Sequence, residues 1–311
     1  MYVQSYFDQA AEVARLLNIK LTTRKWDNQT ILMCGFPLMH LQKHLNTLVQ
    51  QNNLFVALCE EFARPVPPGA RPSYDRRVAR IVTPGTLIDE PFLNHYENNY
   101  LLAISSNASY SLEANNDVGL AWIDVSTGEF FTKCTTMEYL YDDVTRIRPR
   151  EVVLPKDIES VDSCPVRAIV QRECPVTSYS DTVAPTPPQP LVQSVLASDS
   201  ISVHTEPPTT STFSSHETSA VNLLTSYLQL NLLDFMPDLS APNKEVSQAR
   251  MEIDAHTLKS LEIQEGIQEG GATGTLLRCV KKTVTGGGTR LLARWLCRSL
   301  IYFPALSKLT R

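Results

Sequence analysis

A strand-like run, Ala121-Trp122-Ile123-Asp124, ends on a carboxylate and then turns through Val125-Ser126-Thr127-Gly128. A carboxylate in that place can be the first ligand of a two-metal nuclease site if other carboxylates converge on it. Glu151 and Asp157 are the candidate partners, and their spacing makes no recognised signature. An aspartate bonding its own hairpin turn is the simpler reading. His40 and His44 share a helix face at i, i+4, but the Glu that a zinc-protease helix carries beside its first His is missing. A packed or solvated pair is therefore preferred to zinc ligands. The run GGATGTLLRCVKKT over 270–283 has glycines and downstream lysines, but not the order of a phosphate-cradling loop, so nucleotide binding there is not expected. At the very start, Tyr2 and the amide Gln4 two residues on have the chemistry to stack on an unpaired base and bond it. Taken alone they read as a frayed terminus. No nucleophile elbow, Cys/His dyad or paired glycosidase-type carboxylates can be picked out. The seven cysteines include no C-x-x-C pair and read as reduced, mostly buried thiols, although Cys164 and Cys174 are close enough in sequence to pair.

These residues need elements to hold them. Residues 5–17 carry apolar side chains near a helical period, ending at Asn18, a suitable C-cap. Strand-like runs follow at 19–24 and 31–34, then a turn at Cys34–Pro37, a helix around Leu41 to Val49, and strands at 54–59 and 77–82. Residues 1–91 thus form a first α/β domain. Strands at 100–105, 118–125 and 129–133, a helix over 136–147 and a strand at 151–154 make a second over 92–170. Residues 171–217 hold seven prolines, no glycine and only two aromatics, Tyr179 and Phe213, so they cannot bury enough apolar area to offset ordering and read as a disordered insertion. Residues 218–311 turn helical, with a strand-like Met251-Glu252-Ile253, an N-cap at Asp254, and an amphipathic helix from Thr289 entered through Gly286-Gly287-Gly288. That all-α piece is too short to close a core. Charge is uneven along the chain: residues 1–91 carry net +2, residues 92–218 net −10 and residues 219–311 net +3. An acidic middle repels phosphate, and the basic ends are too weakly so to identify a nucleic-acid binder. No run of 18 apolar residues spans a membrane, and the first residues make neither a secretory signal nor a transit peptide.

Taken in order, YFDQA, ARLLNIKLTTR, MCGFPLMHLQKHLNTLV, FVALCEEF and VARIVTPGT resemble the mismatch-recognition domain of MutS-type DNA mismatch repair proteins. AWIDVSTGEFF and RIRPREVVLP resemble their connector domain, and MEIDAHTLKSLEI and TVTGGGTRLLARWL the opening of their core, or lever, domain. The resemblance covers the chain except about residues 160–216, and the wording of YFDQA and CEEFARP is closest to the fungal mitochondrial branch. The implied fold class is α/β: two consecutive α/β domains, mismatch recognition and a ribonuclease-H-like connector, followed by an incomplete all-α lever segment.

The resemblance implies DNA mismatch repair by binding mismatched duplex DNA. The family's Phe-x-Glu wedge falls on Tyr2-Val3-Gln4, which keeps an aromatic to stack and replaces the acid by an amide. Arg80 falls where a phosphate contact is expected, with Arg24 and Lys25 as further contacts. The connector implies a MutL-like partner. It also implies loss of the catalytic carboxylates, against the alternatives of a nuclease using Asp124 or an interaction fragment with no DNA role. After TRLLARWL the family usually has a proline where this chain reads Arg298-Ser299-Leu300, and the tail IYFPALSKLTR departs from the family. The clamp helices and ATPase have no counterpart in the chain, so a truncated product is expected: a monomer, not an enzyme, without the ATP and Mg of the full-length family. The branch implies a mitochondrial location, with the nucleus as alternative, and no presequence in this chain.

Overall fold

The computed structural model describes residues 2–26, 29–65, 73–88, 93–94, 96–106, 116–161, 164–181, 213–237, 239–245, 251–267, 271 and 273–298. The chain divides into two compact units, one of residues 1–93 with 228–236 and one of 94–227 with 237–311.

In the first unit, strand β1 (Tyr2–Tyr6) leads straight into helix α1 (Phe7–Leu17), which closes at Asn18 in a left-handed conformation (φ 51°). Strands β2 (Thr22–Trp26) and β3 (Gln29–Pro37) complete an antiparallel sheet of order β1-β3-β2. The turn expected at Cys34–Pro37 lies inside β3, because β1 pairs with β3 from Tyr6↔Met33 to Tyr2↔Pro37 and holds that stretch extended. Ala10, Ala14 and Cys34 form the buried seam of α1 on the sheet, with Val13, Ile19 and Leu32 packed beside it. A helical stretch over 38–51 contains α2 (Leu41–Leu45), and Leu45 and Val49 pack with Val82 and Leu87. Strands β4 (Val56–Ala63) and β5 (Tyr74–Val82) pair as a separate two-stranded sheet with a bulge between Leu58 and Cys59. The Thr83–Thr86 turn, part of the VARIVTPGT run, is buried and closed by Thr83 N donating to Thr86 Oγ1 at 2.9 Å.

The second unit is built on strands β6 (Tyr100–Ser106), β7 (Asp117–Asp124), β8 (Glu129–Thr136), β9 (Glu151–Pro155), β10 (Thr177–Ser180) and β11 (Asn243–Lys244), in the order β10-β9-β6-β7-β8-β11. The first three are antiparallel, β9 and β10 add in parallel, and β11 runs parallel along β8. The unit is thus a mixed α/β sheet, as expected of the α/β fold class. Helices α3 (Leu140–Ile147) and α4 (Pro165–Glu173) cover the face carrying Tyr100, Leu102, Ile104, Leu120 and Trp122. Helix α5 (Ser215–Leu232) lies on the other face, where Tyr227 reaches Glu151. Beyond β11 come α6 (Ala255–Ser260), α7 (Leu276–Val280) and α8 (Gly286–Cys297). Asp254 caps α6 as expected, accepting from Thr257 N at 3.0 Å, and α8 is capped by Thr285, so its glycines are the first turn of the helix rather than a lead into it.

Three further expectations change. The insertion expected over 171–217 is ordered at both ends: residues 171–173 finish α4, Thr177–Ser180 is a strand, and α5 begins at Ser215. Residues 182–212 lie outside the described residues. Helix α5, read as the start of the third unit, begins on the connector sheet instead, because Gly119 in β7 leaves room for it. The strand-like Met251-Glu252-Ile253 forms no strand. Among the described residues, no helix is long and apolar enough to cross a membrane.

Candidate nucleic-acid interface

Residues directly opposite one another in an antiparallel sheet share a face. Gln4 faces Gly35, Tyr2 faces Pro37 and Arg24 faces Ile31 across β3, so these odd-numbered β3 positions place Tyr2, Gln4 and Arg24 on one face. Helix α1 packs on the opposite face, over Leu32 and Cys34. Tyr2 is 67% exposed on the edge strand, with Gln4 exposed beside it. Four β3 residues and two strand spacings separate Gln4 from Arg24, a span of roughly 17 Å, or about half a turn of duplex DNA. Lys25 is exposed on the face that α1 covers, so the pair Arg24-Lys25 splits across the sheet.

The edge strand is held close. A Cβ at Gly35 would sit 2.8 Å from the Val3 carbonyl oxygen, so only glycine lets β1 approach β3 at that point. At the other end the chain enters α1 through Phe7 with φ 59°, a left-handed turn at an exposed aromatic. An ordinary L-residue in that conformation costs about 1–2 kcal/mol. The Tyr6 hydroxyl, on the same face as Gln4, donates to Gln4 Oε1. Sequence reasoning missed Tyr6, because its spacing fits the helix that follows as readily as the strand.

Arg80 is not part of this face. It lies half-buried on β5 in the two-stranded sheet, with its guanidinium 5.4 Å from the Phe235 ring centroid. Its neighbours on β5 are also engaged: Arg76 pairs with Glu61 at 2.6 Å and Arg77 stacks 3.7 Å over Phe62.

The carboxylates proposed for metal chemistry diverge. Asp124 faces Tyr100 across β6, whereas Glu151 is in register with Leu101, the next residue, so the two leave opposite faces of the sheet. Asp124 is 1% exposed and accepts from Ser126 N at 3.0 Å, Ser126 Oγ at 2.5 Å and Asn99 N at 3.2 Å, which makes it the hairpin's own anchor. Glu151 is buried and accepts from Ser178 Oγ at 2.6 Å and from Tyr227. Asp157 is exposed on the turn after β9. Among the described residues no three His, Cys, Asp or Glu side chains are placed to hold a metal ion. His40 and His44 have ring centroids 6.2 Å apart, and His44 packs tilted against Phe36, where burial lowers its imidazole pKa. The glycine run does not fit a nucleotide: Gly271 and Gly274 have φ of 119° and 80° and lead into the five-residue α7, and among the described residues no strand precedes them to aim the backbone amides.

Comparison with known proteins bears on the whole chain. Residues 1–91 match MutS domain I, residues 99–240 match MutS domain II and residues 256–307 match MutS domain III. The second match runs through α5, in keeping with that helix starting on the connector sheet. The chain is 33% identical over 297 residues to the DNA mismatch repair protein MutS of Dinoroseobacter shibae, covering 94% of this chain and 32% of that protein. It is also 33% identical over 307 residues to the DNA mismatch repair protein MutS of Rhizobium meliloti, covering 96% of this chain and 32% of that protein. The chain spans about a third of the length of these curated relatives.

Proposed function

The chain belongs to the MutS family, and on that premise we propose that it binds duplex DNA at a mispair, Tyr2 stacking on a displaced base and Gln4 bonding that base. The observation that carries this reading is the edge strand β1, which presents an exposed aromatic and an exposed amide on one face of a sheet. Unstacking is least costly where pairing is already broken, so a wedge of this kind selects mispairs through deformability as well as contact. Arg24 supplies a phosphate contact from the same face and Lys25 one from the sheet edge. Arg80, on the separate two-stranded sheet, is a further phosphate contact in this reading. Aromatic stacking on a base is worth about 1–3 kcal/mol. Tyr2→Ala is therefore expected to weaken G·T heteroduplex binding roughly tenfold at fixed low salt, and to leave homoduplex binding nearly unchanged. Equal affinity for the two duplexes, unmoved by Tyr2→Ala, removes the reading.

The remaining roles belong to the same proposal. The connector is the docking unit for a MutL-like partner, which pull-down with the chain tests. This stretch acts as a monomer, without ATP, Mg or an enzymatic step of its own. Sedimentation at rising protein concentration and an ATP hydrolysis assay check both points. A mitochondrial location, with the nucleus as alternative, rests on the wording of YFDQA and CEEFARP, and cell fractionation decides it. A nuclease centred on Asp124 is not favoured, because its carboxylates leave opposite faces.

A further inference from the structure

The wedge strand carries a second aromatic whose hydroxyl is aimed at the recognition group itself. Tyr6 and Gln4 stand two residues apart on β1, hence on the same face, and the Tyr6 hydroxyl meets Gln4 Oε1. A primary carboxamide has one acceptor end and one donor end. Once Oε1 is occupied by Tyr6, the Nε2 hydrogens are what the side chain offers to anything stacked on Tyr2. We propose that Tyr6 is a positioning residue that fixes the polarity of Gln4, so that the site donates a hydrogen bond and reads an acceptor atom on the displaced base. This rests on the mismatch-binding reading above.

The chemistry differs from that of an acid at the same place. An ionised carboxylate offers acceptors alone, whereas the amide held through Oε1 turns its Nε2 donors outward. The ring nitrogens of a purine, N3 on the minor-groove edge and N7 on the major-groove edge, are acceptors a donor can reach. The reverse arrangement, with Nε2 donating to the Tyr6 oxygen, would turn Oε1 outward and make the site read a donor. The two arrangements predict opposite responses to removal of a base acceptor.

The test uses the full chain and a duplex with one A·A mispair at fixed low salt. The mispaired adenines are replaced in both strands by 3-deaza-adenine or by 7-deaza-adenine, each of which deletes one acceptor and keeps the stacking surface. One of the two analogues is expected to weaken binding about fivefold, the effect of one neutral hydrogen bond. Tyr6→Phe should shrink that gap and weaken binding to the unmodified mispair by a similar factor, while homoduplex affinity and thermal midpoint stay put. Gln4→Glu, ionised at neutral pH, should abolish the gap. Preference for the mispair with no loss on either analogue overturns the donor assignment. A gap that Tyr6→Phe leaves intact overturns the positioning role. No preference for the mispair in the unaltered chain overturns this inference together with the reading beneath it, and is recognised by that control.

Discussion

Gly35 is where a single missing methyl group shapes the interface. Its Cβ would lie 2.8 Å from the Val3 carbonyl oxygen, a backbone atom that cannot swing aside. Gly35→Ala is therefore expected to cost about 1–3 kcal/mol in urea unfolding, and to weaken heteroduplex binding more than homoduplex binding, because β1 must move. The thiols make a second prediction at this scale. Burial pushes the Cys174 and Cys297 thiols up to about 11, and both are buried, whereas Cys59 and Cys279 are exposed. Alkylation of the native protein near pH 8, followed by mass spectrometry, should modify Cys59 and Cys279 first and spare Cys174 and Cys297 until denaturant is added. All seven cysteines are free, Cys164 and Cys174 included. Tyr2 and Gln4 drew attention only through the family resemblance, because nothing in the first six letters marks the strand β1 that puts them on one face. Gly35 was not legible either, because nothing in the letters Cys34-Gly35-Phe36 separates a turn from a close strand approach.

Helix α5 shows the same physics one level up. A Cβ on Gly119 would come within 2.0 Å of the His216 carbonyl oxygen, so β7 and α5 touch backbone to backbone. Gly119→Ala must lift the helix from the sheet and is expected to destabilise by about 3 kcal/mol or more, read as a fall in denaturation midpoint with little change in slope. Periodicity revealed the helix but not its partner, since apolar spacing says which face is buried and nothing about what buries it. Strand β10 was hidden for another reason. Four residues inside a segment rich in Pro, Ser and Thr disappear into the average composition, yet their backbone groups are paired along β9 from Thr177↔Val152 to Ser180↔Pro155. The edge of a sheet can recruit a short segment that would never hold strand structure alone.

Across the second unit, the acidic balance of the middle segment takes on a different meaning. Lys133 Nζ lies 2.8 Å from Asp143 and 3.0 Å from Glu252, Arg146 bridges Asp143 and Glu245 at 3.0 Å each, and Arg298 also pairs with Glu245. Carboxylates from the connector and from the segment after it are thus spent on cations brought from up to 119 positions away in sequence. Burial alone would raise the Asp143 carboxyl, but Arg146 and Lys133 together hold it below its ordinary value near 3.8. A lowered carboxylate stabilises the fold above its unfolded pKa, and that contribution is lost as pH falls through the lower, folded value. Asp143→Asn should therefore cost about 3–5 kcal/mol at neutral pH, where it leaves Lys133 and Arg146 short of a counter-charge. Its deficit against the unaltered chain should narrow when the unfolding series is carried below pH 4. A constant deficit at all pH values would contradict the ion-pair account. The exposed pairs, such as Arg150–Glu97 and Arg148–Glu265, should contribute under about 1 kcal/mol each and fade with salt.

The sequence by itself determined the hairpin at Asp124 and the cap at Asp254. These follow from local periodicity and from side chains bonding their own backbone neighbours. Only the tertiary structure decided which carboxylates converge, which strand claims residues 177–180, where α5 begins and how Tyr6 turns Gln4. Each of those depends on atoms that meet across a sheet or between elements, and such distances are set by packing rather than by position along the chain.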